Sequence, residues 1–452
     1  MQPHPEPEMQ ALAATLRAAA AILLGEAAPE GRALDFLLQL DYLREEEAAQ
    51  APHRAALLHA AAGFRRIFTL EAEDAPGLVA LGAEVDPGVV GGAVAGVAVA
   101  GVAGAPLGSV SGTGLTFRQA FEACIGEGVE YLSQFAIDGD PIKQLTADEA
   151  LGGASPGIGA LWEYLQPFRR DPGAMRTGWT VAADLADGSP VRLPADCCFR
   201  RPAPRRDIDP PWPLSTGCGA GPDHLTATLH GLFELIERDA VALWWRGGQR
   251  ARLVPPGVGA AVLAQLRGGA VGRHTWLLDI SSDLGVPVVA AASCNTGGFG
   301  LCYGHAAGAT LAGAADAAVR EMAQMELAAR LSATKRAVRG EAALNDADRQ
   351  HLHRFKTVDV AATPALQPMA PPSPPRDLPA HDPFATLAAL RQCLAAAGLT
   401  ACALNLTRAG FGIPVTRVVC PGLEQGVSSP PGSRLSQSMK FAGIATATVA
   451  PL

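Results

Sequence analysis

The chain has 452 residues, 48% hydrophobic and 18% charged, with a formal net charge of -8. That balance excludes a disordered chain and a generic nucleic-acid binder, and leaves room for a large core in two or three domains. Nine scattered cysteines without a CxxC pair point to buried thiols in a reducing cytoplasm, and away from a disulfide framework or a zinc site.

The opening Met1-Gln-Pro-His-Pro-Glu-Pro-Glu8 lacks the basic, apolar and cleavage regions of a signal peptide. Residues 8 to 64 read as three Ala/Leu-rich helices, with Arg44-Glu45-Glu46-Glu47 as a solvated face closing the second. From Arg66 the pattern changes, and Phe68 to Leu81 and Val89 to Val102 read as strands. No charge occurs from Gly88 to Val110, but Pro106 and Ser109 interrupt this weakly apolar stretch, which suits two buried strands better than a membrane span. Ser109 to Thr116 reads as a small-residue loop whose last residue caps a helix running to about Gln134.

A hairpin is predicted through Asp187-Gly188, followed by a proline-rich connection from Pro202 to Pro213. Ser215 to Gly221 is a loop of small residues, and Leu225, Leu229, Leu232, Phe233 and Ile236 then form one stripe of a helix. Leu277 to Ala291 reads as strand, turn, strand, and Leu311 to Leu331 as a helix. Eight prolines between 364 and 383 mark a linker, before a helix from about Phe384 that stops at Gly398. Leu404 to Val418 echoes Leu278-Asp-Ile-Ser…Gly-Val-Pro-Val, so the fold class expected is α+β, with duplicated βα units and mixed sheets. The expected divisions are a helical extension at 1–65, a main domain at 66–426 and an irregular tail at 427–452.

Two Glu-x-x-Glu pairs, Glu127 with Glu130 and Glu234 with Glu237, lie on separate helices, each preceded by a Gly-rich loop. Carboxylates three residues apart share a helix face and can hold a hard cation, and facing pairs repel unless Mg2+ lies between them. Such pairs are also common on solvated faces, so spacing alone supports no more than a metal–nucleotide site. There is no GxxxxGK[ST] loop, no GxGxxG fingerprint in its strand–helix setting, no HExxH and no Gly-x-Ser-x-Gly elbow. Cys218 reads as a small buried thiol, His230 as a polar group lining the site, and His305 has no evident partner.

Ser215-x-Gly-x-x-Ala-Gly221 followed by Gly231-Leu-Phe-Glu-Leu-Ile-Glu-Arg-Asp-Ala240 resembles the central signature of YcaO-domain proteins. Ser111-Gly-Thr-Gly-Leu-Thr-Phe117 with Gly126-Glu-Gly-Val-Glu130, then Arg320-Glu-Met-Ala-Gln324, then Gly412 to Glu424 agree in the same order. The resemblance implies a YcaO fold that binds ATP and Mg2+ without a P-loop and phosphorylates a backbone amide oxygen of a ribosomally made peptide. Glu127, Glu130, Glu234 and Glu237 would then ligate the metal. Ser111, Ser215, His230, Arg238, Glu321, Gln324 and Arg417 would contact the nucleotide. An adjacent Cys, Ser or Thr as nucleophile gives an azoline, and an external sulfur donor with a TfuA-like partner gives a thioamide. A non-catalytic scaffold that binds leader peptide is a third reading.

The implied partners are a ribosomal precursor peptide and a leader-binding or TfuA-like protein, with a homodimer possible and no nucleic acid or membrane. Thr113, Tyr131, Pro222 and Thr226 depart from the residues frequent in the family, and Ala450-Pro-Leu452 is a poor version of a proline-alternating tail.

Overall fold

A computed structural model describes residues 6–89, 106–368, 377–426 and 429–445. Helices α1 (Glu6–Leu23), α2 (Gly31–Gln39) and α3 (Ala51–Ala61) come first. They bury Leu16, Leu37 and Leu58 in the same cluster as Phe121 and Ile125 of α4 (Phe117–Ser133). The acidic run falls in a short 3-10 turn, Glu45–Gln50, and not at the end of α2. Its last carboxylate is not a solvated face either. Glu47 pairs with the buried Arg54 of α3 and, at 2.8 Å, with Arg118 of α4.

Strands β1 (Arg66–Leu70), β2 (Val79–Val85) and β3 (Gly108–Gly114) form an antiparallel sheet. The single strand expected from Phe68 to Leu81 is therefore two, because Asp74, Pro76 and Gly77 break its extended run. The small residues at 109–114 are a strand and not a loop. Alternate positions turn toward α4, and at Gly112 a Cβ would lie 2.1 Å from the Cys124 amide nitrogen. Thr116 caps α4 as expected, accepting from the Gln119 N–H at 3.2 Å. The second expected strand, from residue 90 onward, lies outside the described residues.

A second sheet gathers β4 (Lys143–Leu145), the hairpin β5 (Thr177–Asp184) and β6 (Pro190–Pro194), and β7 (Cys218–Ala220). Helices α5 (Ala147–Leu151) and α6 (Pro156–Leu165) connect β4 to β5, and α7 (His224–Trp245) follows β7. A third sheet holds β8 (Arg252–Leu253), β9 (Arg273–Asp279), β10 (Val288–Asn295) and β11 (Cys302–Ala307), with α8 (Ala260–Arg267) between its first two strands. After α9 (Leu311–Arg339), α10 (Asp346–Thr357) and α11 (Pro383–Ala396), β12 (Cys402–Asn405) and β13 (Val415–Val419) complete the second sheet in the order β4-β5-β12-β13-β7.

The two echoed segments are indeed both strand pairs, β9–β10 and β12–β13. The ladders between named strands are all antiparallel, which corrects the expectation of mixed sheets, while the α+β class stands. Short turns such as Ser282 to Gly285 return the chain directly, without the crossover a parallel pair needs. The segment after 427 is not wholly irregular: α12 (Ser433–Ala442) packs Leu435 and Met439 on Leu243 of α7. Among the described residues no helix is long and apolar enough to cross a membrane.

Helix α7 runs between the second and third sheets, burying Leu235 and Ile236 with Val418 of β13 and Leu278 and Val288 of the third sheet. Helix α9 lies on β10 and β11 so closely that a Cβ at Gly304 would sit 2.2 Å from the Met322 amide nitrogen. One turn beyond, the buried Glu326 accepts from Arg267 at 2.6 and 2.8 Å and from Arg273 at 2.8 Å. This fixes the axial position of α9. Replacing Glu326 with Ala leaves two guanidinium groups facing each other in the core, so a loss of about 3 kcal/mol or more is expected on urea denaturation. A loss below about 1 kcal/mol would deny the pin its role.

Candidate functional site

Helices α4, α7 and α9 each carry polar residues on a flank turned toward a common cleft. The N-cap of α7 is Asp223, which accepts from the Thr226 N–H at 2.7 Å, so Thr226 serves the cap through its backbone. Two turns on, Glu234 accepts from the Gly217 N–H at 3.0 Å, which ties the small-residue loop to the helix. Arg238 reaches Glu234 at 3.5 Å and Glu237 at 3.9 Å. On β11, the buried His305 places Nδ1 3.2 Å from Glu237, and its backbone N–H donates to Glu321 of α9 at 2.8 Å. Ligand atoms of Glu237, His305 and Glu321 all lie within 4.8 Å of one another.

Gln324 stands one turn after Glu321, where its Nε2 donates to Ser111 at 3.0 Å and its Oε1 accepts from Thr113 at 3.2 Å. Thr113 is therefore a partner that orients this amide. Ser215 is half-buried in the turn closed by the Cys218 N–H on its carbonyl at 2.9 Å. His230 is exposed, with Nδ1 2.8 Å from the Ala220 carbonyl.

The electrostatics are those of a crowded acidic cleft. Glu127 reaches solvent at the mouth, yet surrounding protein and then the Glu234 charge raise its carboxyl to about 7. Desolvation, followed by the charges of Glu127 and Glu234, lifts Glu130 well above the carboxylate range. Desolvation also raises Glu237 to about 7 against the pull of Arg238, and raises Glu234 and Glu321. Burial lowers His305 to about 4, so it is neutral near pH 7. A neutral imidazole donating to Glu237 orients that carboxylate, and the oxygens around it form the donor set a hard cation prefers. Five carboxylates opposed chiefly by Arg238 fit divalent cations, and those cations suit phosphate oxygens.

Eight of the predicted site residues thus share interactions across the cleft: Glu127, Glu130, Glu234, Glu237, Arg238, Glu321, Gln324 and Ser111. Arg417 does not open onto it. This guanidinium is 1% exposed and donates to the carbonyls of Leu214 and Cys197, the latter at 2.9 Å, and to Cys218 Sγ at 3.2 Å. In this structure Arg417 is a buried charge that favours ionisation of Glu130. Cys218 is buried, its thiol pushed up to about 12 by desolvation, which suits a packing role. The sequence carries little sign of His305 as a site residue, because the small residues of Cys302–Ala307 mark the strand only weakly. Its signal was a histidine among small and apolar residues of strand character.

A family model described as YcaO cyclodehydratase, ATP- and Mg2+-binding, matches residues 111–424. The chain belongs to the YcaO family, whose cofactors are ATP and Mg2+. Among solved structures, it is similar to a heterocyclase in complex with substrate and cofactor, at 26% identity and a TM-score of 0.56, over 70% of this chain and 45% of that one. It is similar to the heterocyclase TruD at 22% identity and a TM-score of 0.52, over 70% and 47%. It also shares the fold of YcaO from Methanopyrus kandleri bound with AMPPCP and Mg2+, at 19% identity and a TM-score of 0.56, over 84% and 90%. The chain spans less than half the length of the two heterocyclases. Comparison with curated proteins gives no match.

The raised carboxyls set a pH dependence with a definite sign. Glu127 and Glu237 ionise near 7 in the fold against 4.5 ordinarily, so their ionisation costs stability fully above about pH 8 and not at all below about 4.5. His305 acts oppositely, but only below about 6.5. Metal-free protein is therefore expected to melt higher at about pH 6.5 than at about pH 8, with millimolar Mg2+ reducing the difference. Calorimetry of the wild type and of Glu237→Gln, which should show a smaller difference, checks this.

Proposed function

We propose that the protein activates a backbone amide of a ribosomally made peptide with ATP and Mg2+, giving an azoline from an adjacent Cys, Ser or Thr. The observation that carries this reading is the meeting of both Glu-x-x-Glu pairs with Glu321 in one cleft, where burial first and neighbouring carboxylates second raise the carboxyls. Glu127, Glu130, Glu234 and Glu237 would hold Mg2+, with Glu321 beside them and His305 orienting Glu237 and Glu321. Arg238 lies between two of these carboxylates and suits a phosphate oxygen. Gln324, held by Ser111 and Thr113, and the loop at Ser215 would position the rest of the nucleotide.

ATP supplies a phosphoryl group that turns an amide oxygen, otherwise a poor leaving group, into a good one. The chain's own work is placement and charge. The metal-holding carboxylates bring cations to the transferring group, and the buried flanks of α7 and α9 keep bulk water from it. The similarity to a heterocyclase in complex with substrate and cofactor supports the azoline product. A cytoplasmic setting accords with nine scattered cysteines, none spaced as a CxxC pair.

ADP release with the cognate precursor, alongside the mass of that peptide, tests the reading. Loss of one water is expected, and Glu234→Gln or Glu237→Gln should cut turnover by ~100-fold or more. Exchange of oxygen for sulfur in the mass would replace the azoline by a thioamide. Peptide binding without any nucleotide binding would reduce the protein to a scaffold.

A further inference from the structure

Beside the acidic cleft, past Tyr131, lies a second cavity of about 660 Å3. Its walls include Tyr131, Phe135, Phe199, Trp212 and the prolines of the 202–213 connection, a rigid, apolar and aromatic lining. Tyr131 follows Glu130 on α4, so the helix that carries the first carboxylate pair also lines this cavity.

The acids in this lining are already neutralised. Asp196 accepts from Arg201 at 3.1 Å, and Asp209 is held by Arg206 at 2.9 Å and Arg170 at 3.0 Å. Arg200 differs from these arginines. Its backbone is fixed to the end of α4, its N–H donating to the Gln134 carbonyl at 2.7 Å and its carbonyl accepting from Ala136 at 3.1 Å. Its Nε donates to Gln134 Oε1 at 2.8 Å, and its guanidinium lies 5.2 Å from the centre of the Tyr131 ring. Among the described residues neither terminal nitrogen has an acceptor, and no carboxylate pairs with it. The group is partly desolvated, which lowers its affinity for its proton. An oriented guanidinium with two free donors matches the two oxygens of a carboxylate.

The geometry points to this cavity as a peptide subsite, in which an extended segment lies along the aromatic and proline wall and presents a carboxylate to Arg200. The inference rests on the reading of the protein as a peptide-modifying enzyme and adds the place and charge preference of the peptide. Apolar walls favour an unfolded chain with few charges, and one fixed cation sets its register.

The test begins with a displayed library of random 12-residue peptides, enriched on wild-type protein in AMPPCP and Mg2+. Enriched peptides, fluorescein-labelled, are then titrated by polarisation against wild type, Arg200→Gln, Arg200→Lys and Lys356→Ala, the last lining a distant cavity. Enrichment in Asp, Glu or a free C-terminus is expected, with binding weakened about 10-fold or more by Arg200→Gln and less by Arg200→Lys. Lys356→Ala and the AMPPCP affinity of all variants should stay within about 2-fold. Equal peptide binding by Arg200→Gln, or no enrichment by protein that binds AMPPCP, overturns the subsite and leaves the nucleotide site standing. Failure of the wild type to bind AMPPCP with Mg2+ would instead overturn the enzymatic reading.

Discussion

The structure turns on a group of carboxylates that the fold keeps desolvated and close together. Carboxylates from three helices meet in one cleft where Arg238 is the nearest offsetting charge, and each of the five is pushed above its ordinary range. A carboxyl raised from 4.5 to about 7, as at Glu237, carries roughly 3 kcal/mol of unfavourable ionisation. Such ionisation works against the folded chain, so the helices must be held together largely by contacts elsewhere. A cation between them reverses the sign of the local term. Packing around the cleft therefore carries the stability, and the cleft itself is kept for a charged ligand.

The holding contacts are short-range and geometric. Strand β3 meets α4 at Gly112 and strand β11 meets α9 at Gly304, each at a separation that no side chain would allow. Glu326 with Arg267 and Arg273 sets α9 along its axis, five residues after Glu321 and two after Gln324. On α7, Asp239 is wholly buried and takes Arg434 of α12 at 2.9 Å, immediately after Glu237 and Arg238. Each helix thus bears a buried ion pair or a strand contact close to the carboxylates it presents. Small displacements along the helix axes are resisted where they would separate the ligands.

Much of this was legible in the sequence because helices repeat. The stripe from Leu225 to Ile236 gave α7 its buried face, and the polar flank at Glu234 and Glu237 followed from the same period. Thr116 marked a helix start, and the hairpin at Asp187-Gly188 declared itself by its turn residues. What escaped was set by long-range pairing. The segment Gly108–Gly114 consists of small residues, which read as a loop, yet its glycines are the side chains that a close strand–helix contact demands. Strand β11 was missed for the same reason, and with it His305, whose partners lie 68 and 16 residues away in the chain. The mixed sheets failed because an echo of sequence carries no information about strand direction.

Two arginines show how burial divides residues of one type between roles. Arg200 feels the charge of Arg417, and Cys218 lies within electrostatic reach of both. Arg417 is enclosed, its two terminal nitrogens engaged by the carbonyls of Leu214 and Cys197 and by Cys218, and its charge favours the ionised form of Glu130. Arg200 keeps a face to an open cavity, with Tyr131 beneath its guanidinium and Gln134 holding its Nε. A guanidinium in the first setting can steady a carboxylate but cannot meet a ligand, whereas one in the second can do the reverse. The tyrosine at 131 is the floor on which that second setting is built, since its ring lies against the Gly108 end of β3 and under Arg200 together. Tyr131, next in sequence to Glu130, is in this way tied to the neighbouring cavity, and one helix serves both places from adjoining faces.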